Sequence, residues 1–474
     1  MSIPSPHPKL MVIGDSLAQG CRSLSVDATL CSQSWSARVA AQQNWAFQTP
    51  RHPRPVLFDL EREIRRLNPV NAAASDFNLG GFVGRYLENI KGWEQDGPAA
   101  EECFDNLALA GAAVGDLYQR TATSSHKFIE DTLQGDLMKG LQISKLGDLH
   151  ISVNGRYVLN PAKKAEHADK SMLDWVEARL PENLFVQIGH NHGLFEVGFS
   201  ASISNPNDPV DSITQKGGNF EPYWTQWQKV AERLARLPAD VKQIVVVQMG
   251  KVGAVGNLMP ASDERKNGYA PAYEPTFSTH PRLLGTQLAP IDEAVVKVNG
   301  MIKDLLFKAA KAAGTDQRLV IVNAYQLLED ADYKNSRQVS RRIRIDSDAT
   351  IDNRYLDGSL QFGWPLPKEK LARGGFFSVD GMHPSGVGYA VLASGVMDAL
   401  KIQHDRAALL EQAYQEDRLL SDYPAELDMV VGLLAILRKA MNVGHFDHSP
   451  MGDLSESMHF ADLLRVLKTV FVRK

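Results

Sequence analysis

Cysteine is scarce in this chain: three in 474 residues, Cys21, Cys31 and Cys103. Three cysteines make no disulfide framework, and no Cys-x-x-Cys pair offers zinc or redox chemistry. Cys21 and Cys31 stand close enough to pair, but buried free thiols in a reducing compartment are the favoured reading. An excess of one charge is lacking too. Lys and Arg number 51 against 56 Asp and Glu, a net −5, which gives no reason to expect a nucleic-acid partner. No stretch approaches the ~18 consecutive apolar residues of a membrane span. The first ten residues, MSIPSPHPKL, hold one lysine and three prolines and lack the basic, apolar and cleavage regions of a secretory signal. The expectation is a cytoplasmic protein with no transmembrane segment. Internal repeats and low-complexity tracts are absent as well.

What is present is the composition of a globular protein, 44% hydrophobic and 23% charged. The length exceeds the ~250–300 residues at which single cores stop growing. The expected organisation is one large α/β domain over 1–401 with insertions at about 40–100, 134–165, 257–288 and 329–373, then a helical extension over 402–474.

Short apolar runs ending in glycine recur and read as buried strands. The first is Leu10 to Ile13, stopped by Gly14-Asp15-Ser16. Others are residues 105–111, Leu184 to Val186, Ile244 to Val247 and Leu319 to Val322. Helical patterns separate them, at about 80–92, 171–180, 222–237, 291–313 and 385–400. Such alternation predicts a parallel sheet covered on both faces. Residues 17–33 read as a loop and 58–67 as a short helix. Asn154-Gly155, between two apolar triplets, predicts a hairpin. Residues 257–288 show no periodicity.

Ser16 therefore follows the C-terminal end of a strand, where open α/β sheets place their ligands. A serine hydroxyl is a poor nucleophile until a base takes its proton, and histidine held by a carboxylate suits that task. Val379-Asp380-Gly381-Met382-His383-Pro384 supplies such a pair, three residues apart. An oxyanion also needs fixed donors, commonly backbone N–H groups or an asparagine amide. Gly111 and Asn191 stand at the ends of the second and third strands, on the same edge as Ser16 if the strands are parallel.

Four blocks in this order resemble the SGNH (GDSL) hydrolase family: IGDSLAQG, NLALAGAAVGDL, FVQIGHNHG and SVDGMHPSGVGY. The resemblance implies a flavodoxin-like three-layer α/β/α sandwich and serine ester hydrolysis without a cofactor. It implies Ser16 as nucleophile, His383 as base and Asp380 as its orienter. The Ser16 N–H, the Gly111 N–H and the Asn191 side chain would form the oxyanion hole. The insertions and the tail beyond 402 lie outside the resemblance. His192 stands where the family usually has aspartate.

The implied substrate is a small-molecule or lipid ester. The alternatives are carbohydrate deacetylation or acyl transfer at the same site, or a silent ligand-binding or scaffold protein. Residues 257–288, with Tyr269, Tyr273 and Phe277, are the expected wall over the acyl pocket. His190 with His192, and His445 with His448, lack a third ligand at metal spacing, so no metal is expected. The arginines at 337, 341, 342 and 344 suit an anionic head group, but a solvated loop is the favoured reading. The stripe Phe460, Leu463, Leu464, Leu467 and Val470 suits packing on its own domain, a homo-oligomer contact or a peripheral membrane contact, the first being favoured.

Overall fold

The run at Leu10 forms strand β1 (Leu10–Gly14), every residue of which is buried. A computed structural model describes residues 7–59, 79–137, 139, 146–215, 221–275, 282–345, 350–354, 375–378 and 380–421. The strands that follow are β2 (Asn183–Gln187), β3 (Gln243–Val247), β4 (Leu258–Pro260), β5 (Ala272–Pro275), β6 (Leu283–Leu284), β7 (Leu319–Val322), β8 (Ile343–Arg344) and β9 (Thr350–Ile351). The central sheet runs β1-β2-β3-β7, parallel throughout. Leu10 faces Asn183, Asn183 faces Gln243 and Ile244 faces Leu319.

Among the helices are α1 (Ser16–Gln19), α2 (Trp35–Gln42), α3 (Ala122–Leu133), α4 (Leu146–Leu159), α5 (Leu194–Ser200), α6 (Tyr223–Ala235), α7 (Gly285–Ala312), α8 (Ala324–Asp330), α9 (Gly386–Ala399) and α10 (Arg406–Ser421). Successive side chains of a strand point to opposite faces, and Leu184, Phe185 and Val186 are all buried. Both faces are therefore covered, which is why these strands read as continuous apolar runs. Trp35 of α2 stacks on Phe185 at 5.5 Å, and α2 packs on α9. Trp227, Val230, Ala231 and Leu234 form the buried face of α6, which packs on α7.

Residues 105–111 run along the free edge of β1. The Val12 N–H donates to Asp105, and Leu107 and Leu109 donate to Val12 and Gly14. The expected strand is reduced to a single bridge at Asn106, whose side chain takes the Ala108 N–H. With this segment counted, the order becomes 2-1-3-4-5, the doubly wound order whose switch point lies beside β1.

The structure corrects three sequence expectations. No hairpin forms at Asn154-Gly155; both lie inside helix α4. A two-residue hairpin turn of that type needs positive φ at both positions, and neither residue adopts it. The Asn154 amide is instead paired with the Gln19 amide in both directions, at 3.0 and 2.8 Å. Gly155 lets α4 lie close to α3, since a Cβ there would stand 2.8 Å from Ser125 Oγ. Residues 257–288 hold a three-stranded antiparallel sheet, β4-β5-β6, with strands too short to show a period. Residues 17–33 hold α1 and a second short helix, Ala28–Ser32.

The three cysteines are buried thiols outside any disulfide. Among the described residues no helix is long and apolar enough to cross a membrane. Most of the expected 58–67 helix, Phe277, His445, His448 and the Phe460–Val470 stripe lie outside the described residues. Gly155→Val drives a branched side chain between α3 and α4. It is expected to destabilise the chain by about 2–3 kcal/mol, read as a lower midpoint in urea.

Candidate active site

Ser16 is placed by the way the chain leaves β1. Gly14 has φ of +149°, and a Cβ on it would collide with the Gln187 carbonyl oxygen, so only glycine fits. Asp15 then caps α1, accepting the Leu17 N–H at 3.1 Å. Ser16 is the first residue of that helix, and its own N–H is one of the amides a helix start leaves unpaired.

His383 arrives from the other end of the chain. Its Nε2 lies 3.0 Å from Ser16 Oγ, and its Nδ1 lies 2.6 Å from Asp380 Oδ2. The proton on Nδ1 faces the carboxylate, so Nε2 accepts from the serine hydroxyl. The turn that folds His383 back on Asp380 is closed by Ser378 N–H to the His383 carbonyl and Gly381 N–H to the Ser378 carbonyl, both 2.8 Å. Asp380 is fully buried and accepts further hydrogen bonds. They include those from the Met382, His383 and Leu24 N–H groups, each at 2.8 Å, and the Ser378 hydroxyl at 3.2 Å. Burial opposes the imidazolium form of His383, but Cys21 and Asp380 beside it outweigh that and hold its pKa well above the ordinary value.

Asn191 lies on the loop after β2, and its side chain donates to the Ala112 carbonyl at 2.9 Å, leaving its second amide hydrogen free of that bond. Gly111 sits on an exposed turn with φ of +90°. Among the described residues its N–H has no partner. Two side chains fix that turn from behind. Gln19 Oε1 accepts the Ala110 N–H at 2.8 Å, and Gln19 is itself held by Asn154. His52 donates from Nε2 to the same Asn154 oxygen at 3.1 Å.

His192 is fully enclosed. Its Nε2 accepts the Val114 N–H at 2.9 Å and its Nδ1 donates to the Gln215 carbonyl at 2.8 Å. A neutral imidazole thus offers an acceptor to a backbone N–H, as an aspartate oxygen in that place can. Its neighbour His190 donates from Nδ1 to Asp15 at 2.8 Å. The two alternate histidines face different partners, and the described residues contain no cluster of three metal-ligating side chains.

Ser16, His383 and Asn191 line one cavity of about 700 Å³ empty volume. Leu194, Phe195, Val252, Val255, Leu328 and Phe377 contribute to its apolar wall. Asp380 stands behind His383, and Gly111 lies on the neighbouring turn rather than in the lining. The stem of Lys251 also lines it, its ammonium held by Asp332 at 2.8 Å and Glu329 at 2.5 Å. Tyr269 and Tyr273 do not line it; their hydroxyls donate to Asp292 and Asn335. Arg337, Arg341 and Arg342 are paired with Asp263, Glu329 and Asp352. Sequence reasoning missed Gln19, His52 and Asn154. Gln19, one helical turn after Ser16, carried the only local signal.

No protein-family model matches the chain, and no curated protein does. Among solved structures, the crystal structure of LAE5, an alpha/beta hydrolase enzyme from the metagenome of Lake Arreo, Spain, is similar over 84% of this chain and 97% of its own. The identity is 12% and the TM-score 0.27, a likeness too slight to carry fold or activity.

Burial pushes both His52 and His192 down from the ordinary 6.5 to about 4. Both are neutral in the fold at pH 7, whereas the unfolded chain protonates them near 6.5. Their contribution is present above 6.5 and is lost as pH falls toward 4, by roughly 2–3 kcal/mol each at the lower end. Melting temperatures are expected to fall across that window, and less steeply in His192→Gln. An equal slope in the variant contradicts the assignment.

Proposed function

We propose that this chain is a serine ester hydrolase of the SGNH type, acting on a carboxylic ester with an apolar acyl group. The observation that carries the proposal is the relay from Ser16 Oγ through His383 to Asp380, opening into an apolar cavity. The resemblance of the four sequence blocks points the same way. Ser16 attacks the carbonyl carbon while His383 Nε2 takes its proton. Asp380 holds the ring in the tautomer that can accept it and offsets the imidazolium that forms. Negative charge on the carbonyl oxygen is met by the N–H groups of Ser16 and Gly111 and the Asn191 amide. The imidazolium returns its proton to the departing alcohol. His383 then draws a proton from water, which attacks the acyl-enzyme and releases the acid.

The apolar lining favours a hydrocarbon acyl chain over a sugar, which calls for a polar, aromatic groove. A p-nitrophenyl ester series is expected to show turnover that Ser16→Ala lowers by at least about 10³-fold. A fluorophosphonate label should map to Ser16. Turnover that survives in Ser16→Ala ends the proposal.

The base works only when neutral. Because its neighbours raise the His383 pKa, kcat/KM is expected to climb with pH, with its acid limb above the ordinary histidine value of ~6.5. An acid limb at or below that value contradicts the electrostatic reading of His383.

A further inference from the structure

Helix α10 reaches the site through one side chain. Asp417 is fully buried, and its Oδ1 accepts from the Arg22 guanidinium at 3.1 Å and from the Gly386 N–H at 3.0 Å. Its Oδ2 accepts the Val387 N–H at 2.9 Å. Gly386 and Val387 open α9, directly after His383-Pro384-Ser385. Ser385 Oγ takes the Gly388 N–H, so the first three amides of the helix are all bonded to side chains. Arg22 belongs to the other arm. It follows α1 by three residues, between Cys21, whose carbonyl accepts the Tyr389 hydroxyl, and Ser23, whose N–H donates to Ser378 Oγ. Glycine at 386 lets the pair come close, since a Cβ there would lie 2.9 Å from Asp417 Oδ1 and 3.0 Å from Arg22 Nη1. Leu409, Leu410, Ala413 and Tyr414 bury the rest of this face of α10, and Arg38 pairs with Glu416.

We propose that Asp417 is a positioning residue whose carboxylate joins the arm bearing Ser16 to the arm bearing His383, making residues 406–421 part of the reacting unit. The inference rests on the ester-hydrolase reading above. Asp417 does not line the cavity; it acts on how well the hydroxyl and the imidazole are aligned. Its loss should therefore lower kcat and leave KM nearly alone. Small misplacements of reacting groups cost up to ~10²-fold in rate.

The test uses the full-length chain and p-nitrophenyl butyrate, well below the melting temperature of each variant. Asp417→Ala is expected to lower kcat about 100-fold with KM within about 2-fold. Asp417→Asn keeps the shape and one acceptor oxygen, and should lose only about 10-fold. A folded Asp417→Ala with kcat within about 2-fold of wild type overturns the proposal, and so does a change confined to KM. If Asp417→Ala does not fold, Arg22→Met removes the guanidinium while the helix cap remains. A fall in kcat of about 10-fold is expected there, and unchanged kcat overturns the proposal. Hydrogen exchange reads the joint without turnover. Asp417→Asn should speed exchange in both 16–25 and 380–388, and unchanged protection in either arm overturns the proposal. Wild-type protein that cleaves no ester ends the hydrolase reading instead, and the exchange data then decide the joint.

Discussion

The hydrogen bond between Ser16 and His383 spans 367 positions of chain, and everything around it limits how two distant arms can meet. The arm after β1 does not merely arrive near the histidine loop. Its Leu24 N–H donates to Asp380 and its Ser23 N–H donates to Ser378, which in turn donates to Asp380. The segment that carries the hydroxyl thus also helps satisfy the carboxylate that orients the imidazole. A buried carboxylate without partners is strongly unfavourable. Separating the arms would strip Asp380 of the Leu24 donor and Ser378 of the Ser23 donor. Alignment of the Ser16 hydroxyl with the His383 ring and satisfaction of a buried charge are thus coupled.

The histidines show how local partners set the role of one side chain. His192 and His52 are buried without a carboxylate against the ring, and burial keeps both neutral. His192 then spends its nitrogens as one acceptor and one donor toward the backbone, and His52 donates to the Asn154 side chain. His383 is as deeply buried, yet its pKa moves the other way because Cys21 and Asp380, the latter 2.6 Å from Nδ1, outweigh the burial. Burial alone keeps a histidine neutral, and negative neighbours against the ring favour its protonated form.

The parts legible in the sequence were those encoded locally. Strands buried on both faces appear as unbroken apolar runs, so β1, β2, β3 and β7 could be read within a residue or two. Ser16 and the Asp380/His383 pair each sit in a compact block, and the structure brings them to within hydrogen-bond distance. Asn154-Gly155 was misread because turn preference assumes that the asparagine side chain is free to bond its own backbone. Here Gln19 claims it from 135 residues away. Strands β4 to β6 were unreadable because two to four residues cannot display a period. Asp417 carries no motif at all; its partner Arg22 is 395 residues distant.

Parallel topology also explains why the cavity has two chemically different ends. All four strands of the central sheet leave at the same edge. The exits of β1 and β2, with the turn beyond residue 109, carry Ser16, Gly111, Asn191 and His192. The exits of β3 and β7 carry the apolar Val252, Val255, Ala324 and Leu328, with Lys251 among them, its ammonium paired to Asp332 and Glu329. Hydrogen-bonding groups therefore gather over the β1 half, and the apolar lining runs from Leu194 and Phe195 after β2 across to β3 and β7. For the ester proposed here, the carbonyl would lie over β1 and the acyl chain over β3 and β7. The polar groups at the first half are held by bonds to one another and to the backbone, so they need no rearrangement when charge develops. The apolar half needs only volume and dryness, which explains why widely separated residues with no shared motif can build it.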